Sequence, residues 1–385
     1  MFKKTLAGLA VAGLFSGAAM AADVNVYGVV DLGLMYNHTK TEALNTNKDA
    51  VVSTKDDSLV MKSGMNAGSR FGLRGSEDLG NGMTVSFKLE NGFDADSGKL
   101  GQDGRLFGRE ASLTLSGAFG QVSFGRMGGV ASAAGTYDYV YAIGDAFDGF
   151  DNGIGGLVQS GRYDNMITYQ TPEFVGMKVL AQYSFKNNTV ADADGKGAEG
   201  NEGKSNTNRY ASLAAVGQYG NLNLVAAYEL QNVRHVQTTP ATEPNDDQHT
   251  FYVGANYDFG VTKLFGMGQV FQGVRSLNGI DALSTDGIDG FGLTVGAQTP
   301  VAGGLLTTSV YYANGDDSLH AESRESTYYG LAARYEYSLS KRTTAYAGAG
   351  YAKQEAEFNK TSNTLVDYQL DKDLVQAYVG LKHTF

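Results

Sequence analysis

Polar and apolar residues alternate along much of the chain with a period of two. From Met83 to Glu90, the side chains of Met83, Val85, Phe87 and Leu89 fall on one face and those of Thr84, Ser86, Lys88 and Glu90 on the other. Val24, Val26, Val30, Leu32 and Leu34 oppose Asp23, Asn25, Tyr27 and Asp31 in the same way. The segments from Met177 to Lys186 and from Asn221 to Gln231 repeat the pattern. An α-helix cannot keep such residues on one face, whereas a strand with one wet and one dry side must.

Links between the alternating segments are short and long in turn. Seven tight ones occur near 79–82, 117–120, 172–176, 219–221, 259–261, 300–304 and 338–342. Eight longer polar segments lie near 37–64, 95–106, 128–160, 188–206, 234–248, 275–288, 314–325 and 356–372. Fifteen connections join sixteen strands, with short turns on one rim and long loops on the other. That layout predicts an all-β fold, a transmembrane antiparallel β-barrel of 16 strands. Closure removes the two edges that a flat sheet would expose, and no backbone group is then left unpaired in lipid. At this width the lumen holds water, so the inward residues are expected to be polar and the barrel to lack a packed core.

Composition fits this reading. The chain has 385 residues, with 52 Gly, 23 Tyr and 19 Phe but only 4 Pro and no Cys. Aromatics favour pleated surfaces and proline interrupts ladders. Tyr and Phe near strand ends are expected to form the interfacial girdles, without Trp. The absence of cysteine excludes disulfides and thiol or Cys-based zinc chemistry. Residues 1–21 read as a secretory signal, with Lys3 and Lys4, an apolar run from Leu6 to Phe15, and Ala19-Met20-Ala21 as the cleavage site. Residues 22–385 then form one barrel domain, carrying 28 basic against 41 acidic residues, a formal −13, so nucleic acid is not an expected partner.

The chain ends Ala377-Tyr378-Val379-Gly380-Leu381-Lys382-His383-Thr384-Phe385, with Val379, Leu381 and Phe385 sharing parity. This ending resembles the insertion signal of Gram-negative porins, of betaproteobacterial type. The segments Val26 to Asp31, Gly68 to Gly80, Phe119 to Arg126 and Arg162 to Asn165, with Pro172-Glu173-Phe174, also resemble the general porin family. The resemblance implies an outer-membrane channel for passive diffusion of small hydrophilic solutes and ions. It implies no enzymatic activity and no cofactor. The partners it implies are outer-membrane lipid and lipopolysaccharide, the outer-membrane assembly machinery and two further copies in a homotrimer.

In the resembled family the third loop folds into the lumen and forms the constriction, here residues 128–160. Its glycines permit a tight path, and Asp138, Asp145, Asp148 and Asp151 supply negative charge. Arg70, Arg109 and Arg162 match the family's constriction arginines. Parity turns Arg70 and Arg74 inward but gives Arg109 the parity of Ala111 and Leu113, so it reaches the lumen only through a bulge or a strand packed on both faces. Val29 stands where the family often has lysine. The expectation is a transverse field between Arg70 and Arg162 on one side and Asp138 and Asp145 on the other.

Other signals carry less. Residues 198–205 approach a phosphate-binding loop but lack its first glycine and any following helix. Asp192 and Asp194 begin a calcium-loop pattern that is not completed. His38, His235, His249, His320 and His383 are too scattered for a zinc site, and no nucleophile is paired with a base. A substrate-specific channel is the alternative function, ahead of an outer-membrane barrel enzyme.

Overall fold

The computed structural model describes residues 24–45, 50–189, 202–204, 207–232, 246–282, 284–319, 322–360 and 368–385. The expected leader, Asp192, Asp194 and most of the 198–205 segment lie outside them. Seventeen strands fill sixteen positions around one closed antiparallel barrel. They are β1 Asn25–Asn45, β2 Ala50–Ser63, β3 Arg70–Gly80, β4 Met83–Gly92, β5 Glu110–Gly117 and β6 Gly120–Gly128. β7 Arg162–Gln170, β8 Met177–Ser184, β9 Arg209–Tyr219, β10 Leu222–Asn232, β11 Gln248–Asp258 and β12 Lys263–Val274 follow. A small hairpin, β13 Ser276–Leu277 and β14 Ile280–Asp281, stands apart from the wall. β15 Ile288–Val301, β16 Gly304–Leu319, β17 Glu322–Ser338, β18 Thr343–Lys360 and β19 Tyr368–Thr384 complete it.

Closure is made by β1 and β19, whose ladder runs from Val29↔Thr384 to Asn45↔Tyr368. On its other side β1 pairs first with β3, from Asn25↔Arg74 to Val29↔Arg70, and higher up with β2, from Leu32↔Ser63 to Asn45↔Ala50. β2 and β3 therefore share one position in the wall, interrupted where residues 64–69 leave it.

All seven tight links are turns between adjacent strands. At Asn81-Gly82 both residues have positive φ (54° and 75°), the two-residue hairpin geometry that matches strand twist. Three of the eight long segments differ from expectation. Residues 37–64, 314–325 and 356–372 are largely strand, because β1, β2 and β16 to β19 continue far past the apolar band. Above the lipid both faces of a strand are wet, so alternation fades while the hydrogen-bond ladder persists.

Outward residues form a continuous apolar belt. Val295, Val310 and Leu331 are register neighbours on β15, β16 and β17, and all are exposed. Aromatic contacts lie above and below this level. Phe291, Tyr312 and Tyr329 have ring centroids 5.7 and 5.4 Å apart, and Tyr257 and Phe259 near a turn are 4.5 Å apart.

The inner side departs from the expectation of a coreless, wholly polar lumen. Tyr163, Tyr210, Tyr252 and Met267 point inward and pack with Met127, Tyr137 and Tyr141. A second cluster joins Phe147 and Ile154 to Phe271, Tyr311 and Tyr328. In both, the partner of the wall is the segment between β6 and β7, so apolar residues are buried where that segment lies against strands and not where the wall meets water.

Candidate functional site

The β3–β4–β5 wall concentrates charge through strand parity and register. Phe71 is exposed on the outer face, while Arg70 and Arg74 fall on the inner one. Arg74 stands opposite Lys88, Gly72 opposite Glu90, and Glu90 opposite Glu110. Glu90 is the hub. Its Oε1 accepts from Arg109 Nε at 2.7 Å and its Oε2 from the Tyr27 hydroxyl at 2.8 Å, with Lys88 Nζ at 3.7 Å and Arg70 Nε at 3.9 Å. Lys88 also reaches Glu110 at 2.9 Å, and the Arg74 guanidinium lies 5.1 Å from the Tyr27 ring centre.

Arg109 faces inward through a local irregularity. Its N–H donates to the Glu90 carbonyl at 3.2 Å, while Glu110 occupies the register position opposite the same residue. Two residues thus face one, the arrangement of a β-bulge, and the extra residue is turned to the other side of the wall. Two glycines make room for it: a Cβ at Gly68 would stand 2.9 Å from the Arg109 guanidinium, and one at Gly92 would stand 3.0 Å from its stem.

The 129–160 segment is held against the opposite wall at many points. Glu229 on β10 accepts from the Tyr210 hydroxyl at 2.5 Å and from the Ala131 N–H at 3.3 Å. Asn256 donates to the Ile143 carbonyl at 2.8 Å, at the end of a short helix, Val140–Gly144. Gln298 donates to Ala146 at 2.7 Å, Arg334 to Phe150 at 2.9 Å and Tyr328 to Ile154 at 3.0 Å. Side chains from β9 to β17 therefore fix its path.

Between this segment and the β3–β5 wall is an opening of about 610 Å³, lined by Tyr27, Arg70, Arg74, Lys88, Glu90 and Arg109 and, from the segment, by Thr136, Asp148 and Phe150. Arg162 does not line it. That residue is half-buried at the start of β7, and its Nε has no hydrogen-bond partner among the described residues. Asp138 and Asp145 do not line it either. Asp145 is 1% exposed, accepting from Tyr311 at 3.0 Å and from the Gly149 N–H at 2.9 Å, and so braces the segment. Asp138 is buried beside Asp148. Burial, then the neighbouring Asp148 charge, pushes the Asp138 carboxyl well above the ordinary range. Asp148 opens into the cavity yet is ringed by protein atoms, and this desolvation carries it up to about 6 against the pull of Arg70.

Parity already placed Lys88 and Glu90 inward. Their membership of the site was missed because it depends on cross-strand register, which alternation does not specify. At the C-terminus Val379, Leu381 and Phe385 are exposed on the outer face, and the Phe385 backbone exchanges two 3.1 Å hydrogen bonds with Gly28.

Residues 8–357 match the family model for the Gram-negative porin. An outer membrane porin of Bordetella pertussis is 32% identical to this chain, and outer membrane porin protein 32 of Delftia acidovorans is 31% identical, each over the full length of both chains. The anion-selective porin from Comamonas acidovorans superposes with a TM-score of 0.64 at 26% identity, covering 94% of this chain and all of the other. With its closed sixteen-position barrel, outward apolar belt and charged internal opening, the chain belongs to the Gram-negative porin family and is a channel of the outer membrane.

Proposed function

We propose that the opening bounded by Arg70, Arg74, Lys88 and Arg109 on the wall and by Asp148 on the 128–160 segment is the constriction of a passive-diffusion channel for small hydrophilic solutes and ions. The observation that carries this is the juxtaposition itself: four cations and two carboxylates, Glu90 and Asp148, around one opening of about 610 Å³. A fixed transverse field orders dipolar solutes and penalises apolar ones of equal width. With cations in excess at the opening, we infer a preference for anions despite the acidic chain as a whole. Charges such as Asp316 and Asp317 on the extended strands are screened within about 10 Å at 0.1 M salt. No covalent step is assigned to any residue; the work is selection by width and charge.

The rest of the reading follows from export and insertion. Residues 1–21 are removed as the leader, leaving 22–385 as one domain. The outward side chains of Val379, Leu381 and Phe385 are offered to the assembly machinery, and the chain assembles as a homotrimer among lipid and lipopolysaccharide. Single-channel recording in a planar bilayer tests the central claim. In a salt gradient, Arg70→Gln with Arg74→Gln shifts the reversal potential toward cations, and Arg162→Gln shifts it less. An unchanged potential in the double variant removes these arginines from the constriction.

A further inference from the structure

Residues 64–69 form a second inward excursion, between β2 and β3, and a single buried carboxylate holds it. Asp31 on β1 is 0% exposed. Its Oδ2 accepts from the Asn66 N–H at 2.8 Å and the Ala67 N–H at 2.6 Å, and its Oδ1 accepts from the Tyr346 hydroxyl. The backbone of Asp31 also clamps both ends of the excursion. Its carbonyl accepts from the Gly64 N–H at 3.0 Å, and its own N–H donates to Ser69 Oγ at 3.1 Å. Met65 is fully buried with Met35, Tyr346 and Tyr378, in space left by the missing side chain of Gly33.

The excursion touches the end of the 128–160 segment. Asn152 Nδ2 donates to the Met65 carbonyl at 3.2 Å, and Gln376 donates to the Asn152 carbonyl at 3.3 Å. Asn66 bonds Glu336, which Arg334 approaches at 3.6 Å while donating to the Phe150 carbonyl and covering the Phe147 ring at 4.9 Å. These contacts bracket Asp148. Asp148 and Asn152 have φ of 51° and 63°, the left-handed conformation that Asp and Asn adopt more readily than other residues with a Cβ.

We propose that Asp31 is a positioning residue for the channel. By fixing residues 64–69, it supplies the ledge on which Phe147–Ile154 rests and so sets the gap between Asp148 and Arg70. The inference rests on reading that gap as the constriction. Chemically, an amide at position 31 keeps the shape but removes the charge from the Asn66 and Ala67 N–H contacts and turns the Tyr346 hydroxyl from donor to acceptor, which weakens the clamp.

Single-channel recordings of Asp31→Asn and Asn152→Ala, singly and together, test it. Each single variant is expected to raise open-state conductance, add flicker and admit larger sugars in liposome swelling. The double variant is expected to go little beyond the larger single effect, because both act on one contact chain. Unchanged conductance with only a lower unfolding temperature would overturn the proposal and leave Asp31 a brace for the wall; additive effects would overturn it by showing that the two residues act separately. If Asp31→Asn fails to insert, Asn152→Ala with Gln376→Ala decides by the same conductance readout. The Arg70 and Arg74 measurement is independent: a shifted reversal potential there beside unchanged conductance here sinks the ledge and spares the constriction.

Discussion

At the scale of single residues, the candidate constriction carries a carboxyl, Asp148, whose charge changes near pH 6 and which shares a hydrogen bond with buried Asp138. Burial raises the carboxyl of Asp148 to about 6, and the hydrogen bond with Asp138 and then the charge of Arg70 oppose the rise. For an acid the sign is direct: Asp148 is ionised above that pH and neutral below it. Acidifying from pH 7.5 to 5 therefore removes a negative charge from the opening, and the reversal potential should move toward anions. Asp148→Asn should show the acid value at both pH values. A variant that still titrates would assign the step to another carboxyl, first Asp138, which is hydrogen-bonded to Asp148 and also raised, and then buried Asp151, raised to about 6.

At the scale of the elements, the apolar belt and the inner face make opposite demands of the same strand. Val295 lies outward in the belt beside exposed Val310 of β16, and Thr294 faces inward and is buried. Val295→Arg places a charge in hydrocarbon and should cost about 2–4 kcal/mol of folding stability in lipid. Val295→Ala should cost far less. Urea-driven unfolding in liposomes measures both, and equal small losses would mean that Val295 does not face the bilayer core.

The strands that were legible in the sequence are those with this division. Met83 to Glu90 reads as a strand because lipid and lumen select opposite residues at successive positions. Lys55, Asp56 and Asp57 read as loop because above the bilayer nothing selects, although β2 runs straight through them. The site was legible in the same uneven way. Parity alone turned Arg70 and Arg74 to the lumen. Asp148 could not be separated from Asp138 and Asp145, since the path of an irregular segment is set by distant partners such as Tyr311 and Glu229. Nor did anything in the alternation announce residues 64–69, whose departure from the wall is made by contacts to Asp31, 33 or more positions away in the chain.

At the scale of the whole molecule, the second edge of β2 has no strand partner among the described residues. β2 is paired to β1 along its length, and no other described strand pairs with its second edge, since β4 ends at Gly92, opposite Arg70. Leu59 lies opposite Tyr36, an exposed aromatic of the outer face, so the lower part of β2 is at bilayer depth. Val52 and Val60 are exposed on one face and Leu59 and Met61 on the other. A lipid-facing row of unpaired backbone groups would cost several kcal/mol per group, so this edge needs cover. In a homotrimer, the neighbouring copy can provide it. The absence of cysteine allows a clean test with single substitutions. In the assembly extracted in mild detergent, Leu59→Cys and Met61→Cys should resist a membrane-permeant maleimide and become reactive when heat separates the copies. Val295→Cys on the far wall should react in both states. Free reaction of Leu59→Cys in an intact trimer would place the contact on another face and leave β2 to be covered from within its own chain.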